Sequence, residues 1–288
     1  MADSVTRKAY AKLNLSLNIT GTLPDGMHTV DMVMQSIDLY DTVTVEKTDN
    51  GIEISCHGAE LPEDMNNIAA KAADEFFKYS EIDGGVYIKI KKRIPCAAGL
   101  GGGSTDAAAV LCAMNELYDT DYDEDELCAI AERIGSDVPF CINGGTQRAE
   151  GTGTILSPLP ELTDCAFVVI KEGEKLSTGD MYKRYDSFPD KLTPDTEALI
   201  EAICEGDVEQ AAKTMANVFE PMWGDAAAEI KSDLLECDAL NAVLSGSGPS
   251  IFGIFENESD ANSARSKLSD KYENIYVCTP VCGKENDE

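Results

Sequence analysis

The segment Pro95-Cys-Ala-Ala-Gly-Leu-Gly-Gly-Gly-Ser-Thr105 constrains this chain more than any other. It follows residues 86–94, where Ile88, Ile90 and Ile94 share one face of a strand pattern, and it precedes residues 106–118, an alanine-rich stretch of high helix propensity. A glycine-rich turn that opens a helix exposes unpaired amides at the positive end of the helix dipole. Those amides hold phosphate oxygens without any side chain. Gly99 and Gly101 to Gly103 permit the close approach this needs. A tight strand-to-helix turn with no ligand gives the same local pattern. The basic cluster Lys89, Lys91, Lys92 and Arg93, just upstream, favours phosphate.

What is missing narrows the class. A Walker loop requires Lys and then Ser or Thr after its last glycine, whereas Ser104 and Thr105 follow Gly103 directly. A dinucleotide fingerprint begun at Gly99 puts Ser104 where Gly or Ala belongs, and the preceding residues pattern as strands rather than as a βαβ unit. Charge narrows it further: 23 basic against 53 acidic residues, a net charge of −30, oppose nucleic acid and anionic membrane alike. The same field opposes an anionic small substrate, so a phosphate pocket here has to be locally positive and lined by backbone.

The start, MADSVTRKAYAK, has no apolar signal core, and no run approaches a membrane span, so a cytoplasmic protein without a membrane partner is expected. The ten cysteines include no Cys-x-x-Cys pair, which predicts free thiols rather than zinc or a disulfide framework. Cys96 lies inside the glycine loop, where positive charge and amides favour a thiolate.

Residues 11–20 alternate strictly, with Ala11, Leu13, Leu15, Leu17 and Ile19 on one face, so Lys12 and Asn14 project together from the other side of a half-buried strand. Helices are expected over 67–79, 106–118 and 123–134, the last capped by Gly135. After a proline-interrupted join near 156–164 the pattern restarts. Strands are predicted at 166–170, 251–255 and 275–279, and helices near 197–204, 208–219, 226–235 and 259–269. A second glycine cluster, Ser245-Gly-Ser-Gly-Pro-Ser250, precedes the strand at 251. At 288 residues the order reads as two α+β domains, 1–160 and 161–288, around a cleft. Residues 283–288 read as a disordered tail.

The loop, together with Ala11-Lys-Leu-Asn-Leu15, Asp25-Gly-Met-His28, Gln35-Ser-Ile-Asp-Leu-Tyr-Asp-Thr42 and Gly135-Ser-Asp-Val-Pro-Phe140 in that order, resembles the signature set of the GHMP kinases. Ser245-Gly-Ser-Gly-Pro249 is similar to that family's third glycine motif, so the likeness runs from about Lys8 to Val277. It is nearest to the members that act on a cytidine-diphosphate methylerythritol. The resemblance implies a ribosomal-protein-S5-like N-terminal domain, a ferredoxin-like C-terminal domain, ATP with Mg²⁺ in the cleft, and phosphorylation of the substrate's 2-hydroxyl in the MEP pathway of isoprenoid biosynthesis. It implies a monomer or weak homodimer with no nucleic-acid partner.

Residue by residue, it implies that Lys12 and Asp137 are the catalytic pair. ATP falls to Asn67, Lys92, Pro95, Cys96, Ala97, Ala98, Gly99, Leu100, Gly101, Gly102, Gly103, Ser104 and Thr105, with Ser104 also toward the metal. The substrate falls to Asn14, Met27, His28, Thr178, Tyr182 and Gly246, with the ring of Tyr182 against cytosine. Met27 stands where these kinases usually carry tyrosine, which removes one aromatic wall. Spacing alone reads Asp137 as a turn or cap residue and His28 as an exposed turn histidine. A homoserine, mevalonate or sugar kinase of the same superfamily, or a catalytically silent nucleotide-binding regulator, fits the motifs less closely.

Overall fold

A computed structural model describes residues 3–174 and 176–283. The expected disordered tail lies outside the described residues from 284 onward. In chain order the elements are β1 (Ser4–Thr22), β2 (His28–Thr48), β3 (Gly51–His57), α1 (Ile68–Ser80), β4 (Gly85–Lys91), α2 (Gly102–Leu117), α3 (Glu124–Ala131), α4 (Val138–Asn143), β5 (Thr146–Gly151) and β6 (Ile155–Pro158). They continue with β7 (Ala166–Lys171), α5 (Thr178–Ser187), α6 (Thr196–Glu205), α7 (Val208–Thr214), β8 (Ala216–Asn217), α8 (Gly224–Glu236), β9 (Asn241–Leu244), β10 (Ser250–Phe255), α9 (Glu258–Leu268) and β11 (Ile275–Cys278).

One seven-stranded sheet runs β3-β4-β2-β1-β8, with β5 on the other half of β2 and β6 beyond it; a four-stranded sheet runs β11-β7-β10-β9. Helices α1, α2 and α3 cover the first sheet through an alanine-rich core around Phe76, Val110 and Met114. Alanines suit this layer because they let α1 and α2 approach closely and carry high helix propensity. Leu13 and Leu15 of β1 are fully buried against Phe167 and Val169 of β7, so the two sheets share a core. Each buried leucine contributes roughly 1.5–3 kcal/mol.

Three expectations change. The strand at 11–20 is buried on both faces: Lys12, Asn14 and Ser16 are as hidden as the leucines, because the second glycine cluster and β8 cover the polar face. The helix expected over 208–219 ends at Thr214, and residues 216–217 pair in parallel with β1. Asn217 causes the break. Its buried amide donates to the carbonyls of Leu244 (2.7 Å) and Gly246 (2.8 Å), bonds a continuous helix would not allow. Third, α4 and α5 are helices that lie outside the helical ranges predicted above.

Candidate functional site

The glycine loop folds as its composition dictates. Gly101 is the N-cap of α2 in the left-handed region (φ +70°), with no side chain capping the helix. The first bond within α2 runs from the amide of Thr105 to the carbonyl of Gly101, which leaves the amides of Gly102, Gly103 and Ser104 without helical partners. No acidic residue occupies the first turn. This end of α2 is a preformed anion site.

The loop is pinned from both sides. The amide of Lys12 donates to Leu100 O (3.0 Å), the amide of Ser250 to Ala98 O (3.2 Å), and the Ser245 hydroxyl to Gly99 O (3.0 Å). Contact is so close that a Cβ on Gly99 (φ +79°) would stand 2.3 Å from Ser245 O. Gly99→Ala therefore has to push the two glycine loops apart, and we expect ATP affinity to fall about tenfold or more, read by calorimetry.

Opposite the loop, Lys12 and Asp137 meet. Lys12 Nζ lies 3.3 Å from Asp137 Oδ2 and donates to Asn14 Oδ1 at 2.5 Å, and the ammonium is nearly inaccessible. Asp137 is the N-cap of α4, yet its carboxylate makes no cap bond and is turned to Lys12 instead. Backbone bonds hold the chain on both sides of Asp137, Val138 N to Gly135 O across the preceding turn and Cys141 N to Asp137 O opening the helix. Lys12, Asn14, Asp137, Lys92, Pro95 to Ser104, Thr178, Tyr182 and Gly246 line one cleft of about 490 Å³. Burial pushes the Tyr182 phenol up to about 12, with Asp137 adding to the shift, so it remains a neutral ring.

Other predicted residues lie elsewhere. Asn67 is spent as the N-cap of α1, accepting from the amide of Ala69 and donating to Pro62 O. Thr105 faces a different cleft, about 630 Å³, on the far side of α2 beside Tyr10 and Cys112. Met27 is exposed at the hairpin turn. His28 stands behind Tyr182, stacked on it at 4.7 Å between centroids, and bonds Asp186 Oδ1 through Nε2 at 2.7 Å.

Lys92 lies beneath the loop. Its Nζ bonds Asp41 Oδ2, Asp106 Oδ2 (2.7 Å) and the carbonyl of Gly102 (3.4 Å). Burial works against the ammonium, but Asp106 and Asp41 outweigh it and its pKa is raised. Burial likewise pushes Asp106 up, against the pull of Lys92. Cys96 corrects an expectation: it is exposed, but desolvation raises its pKa more than Lys92 lowers it, so the loop does not favour a thiolate.

Residues without an obvious signal complete the cleft. Ser136 and Ser247 sit inside recognisable motifs and could have been inferred from them. Met32 and Phe219 could not, since each reads locally as an ordinary core residue. Asn217 organises the second glycine loop from inside the core.

An open helix N-terminus beside a buried lysine paired with a carboxylate is an arrangement suited to phosphoryl transfer to a small molecule. Residues 67–145 match the model of the GHMP kinases N terminal domain and 199–274 that of the GHMP kinases C terminal. A 4-diphosphocytidyl-2-C-methyl-D-erythritol kinase of Acetivibrio thermocellus is 44% identical, over 97% of this chain and all of that one. One from Clostridium botulinum is 40% identical over 95% of this chain and 99% of its own length. The crystal structure of a 4-(cytidine 5'-diphospho)-2C-methyl-D-erythritol kinase superposes with a TM-score of 0.80 at 30% identity, covering 96% of this chain and 99% of that one. Homoserine kinase from Cytophaga hutchinsonii gives 0.75 at 19% identity over 99% and 96% of the two chains, a likeness of fold alone. The chain belongs to the family of 4-diphosphocytidyl-2-C-methyl-D-erythritol kinases, and it is an ATP-dependent small-molecule kinase.

Proposed function

We propose that this kinase moves the terminal phosphoryl group of ATP to the 2-hydroxyl of 4-diphosphocytidyl-2-C-methyl-D-erythritol, a step of non-mevalonate isoprenoid biosynthesis. The observation that carries the reading is that Lys12 and Asp137, 3.3 Å apart, line the same cleft as the open amides of Gly102 to Ser104. Phosphoryl transfer needs positioning and charge stabilisation more than covalent work. The amides and the helix dipole hold the triphosphate. Asp137 orients the hydroxyl and accepts its proton late, since a carboxylate is too weak a base to strip an alcohol beforehand. Lys12 stabilises charge on the moving phosphoryl group and on the oxygen that attacks it.

Mg²⁺ would arrive with the nucleotide, bound mostly by phosphate and water, with the hydroxyl of Ser104, which lines the cleft at the open end of α2, as the protein's contribution. The ion would neutralise phosphate charge. On the substrate side, Tyr182 offers a ring to cytosine, with Asn14, Thr178 and Gly246 nearby. The division at 160/161 belongs to this reading, and the assignment of β7, β9, β10 and β11 to their own sheet supports it. A monomer or weak homodimer in the cytoplasm is the expected setting; no described helix is long and apolar enough to cross a membrane.

ADP release measured with the diphosphocytidyl substrate, homoserine and mevalonate in parallel tests the assignment. Turnover is expected with the first only. Phosphorylation of either other alcohol at a comparable kcat/KM would overturn it.

A further inference from the structure

Helix α5 forms one wall of the cleft, yet little holds it. Only Met181 of its ten residues is buried, with Tyr182 and Tyr185 partly so. A helix this short is marginal without tertiary contacts. Polar tethers mark its two ends: Thr178 Oγ1 lies 3.4 Å from Ser247 Oγ, and Asp186 Oδ1 lies 2.7 Å from His28 Nε2. Positions 178, 182 and 186 are four apart and share a helix face. Tyr182 sits between the tethers, parallel to the His28 ring at 24° and edge-on to Phe219 at 90°.

We propose that Asp186 is a positioning residue for the base-binding wall. By accepting the Nε2 proton of His28 it holds the imidazole flat against Tyr182, and so sets the plane that the pyrimidine of the substrate meets. The pyrimidine part rests on the function proposed above. Met27 at the turn is 52% exposed and offers no ring; the parallel ring contact of Tyr182 comes from His28. A bond to a carboxylate at this length is of the stronger kind, and its donor fixes which imidazole nitrogen carries the proton. Asp186 touches no reacting atom, so its effect belongs in substrate affinity.

The test uses Asp186→Ala, which loses the acceptor, and Asp186→Asn, which keeps one. In Asp186→Ala the KM for the diphosphocytidyl substrate and the Kd for CDP, the probe for calorimetry, are expected to rise about tenfold. Values of kcat and KM for ATP should stay within about twofold, and Asp186→Asn should recover most of the loss. Nitrogen-15 NMR reads the clip without substrate. The chain has only two histidines, His28 and His57; a slowly exchanging Nε2 proton from His28 should appear in the unaltered protein and in Asp186→Asn and vanish in Asp186→Ala. Unchanged CDP affinity in Asp186→Ala, or an equal loss in kcat, overturns the proposal. If the unaltered protein shows the His28 resonance but neither binds CDP nor phosphorylates the diphosphocytidyl alcohol, the substrate assignment falls and takes the pyrimidine part with it.

Discussion

Asp137→Asn should lower kcat by roughly 10²–10⁴ while leaving the Kd for ATP within about twofold. The substitution keeps the shape of the side chain and removes its ability to accept the alcohol proton. Among the described residues that line the cleft, no other carboxylate is present to replace it. The neighbouring Tyr182 phenol is held neutral by burial. ATP affinity is spared because the triphosphate site is made from amides of α2 and its loop, and Asp137 sits on α4 across the cleft. Single-turnover kinetics with calorimetric nucleotide binding separates the two quantities. A variant that keeps more than about a tenth of kcat would remove Asp137 from the chemistry.

The second large effect is on stability. Asp41→Ala should cost about 3–5 kcal/mol, the range for removing one partner of a buried ion pair, or roughly 10 °C in Tm. Asp41 is fully buried, accepts from the amides of Arg93 and Ile94 and from Lys92, and so ties β2 to the segment that enters the glycine loop. Its loss strands two amides and half of the Lys92 charge balance. Asp106→Asn should behave differently. Two carboxylates already share one ammonium, and Asp106 Oδ1 has no hydrogen-bond partner, so neutralising this residue should change stability by only about 1 kcal/mol. Thermal melts of both variants check the asymmetry, and equal losses would show that Asp41 has no special structural role.

Much of the local architecture follows from neighbours in sequence. The alternation at 11–20, the capping of α1 by Asn67, the Asp123–Glu126 capping box of α3 and the glycine N-cap of α2 all depend on residues within a few positions of one another. What failed locally failed for tertiary reasons. Residues 208–219 have helical propensity throughout, but Asn217 bonds carbonyls of the second glycine loop and pulls the chain into β8. The polar face of β1 was expected in solvent and is instead covered, which is why Lys12 is positioned rather than merely exposed.

By itself, then, the amino-acid order determined that a helix must begin at the glycine loop with its amides free, and that β1 must present Lys12 and Asn14 side by side. Backbone sterics and periodicity act over a few residues and leave no choice there. Only the tertiary structure decided that Asp137 would reach Lys12, that Lys92 would be spent on Asp41 and Asp106 beneath the loop, and that Asp186 would clasp His28. Those partners come from different strands and helices, and their meeting depends on how the sheets and helices pack, a property no short stretch of sequence carries.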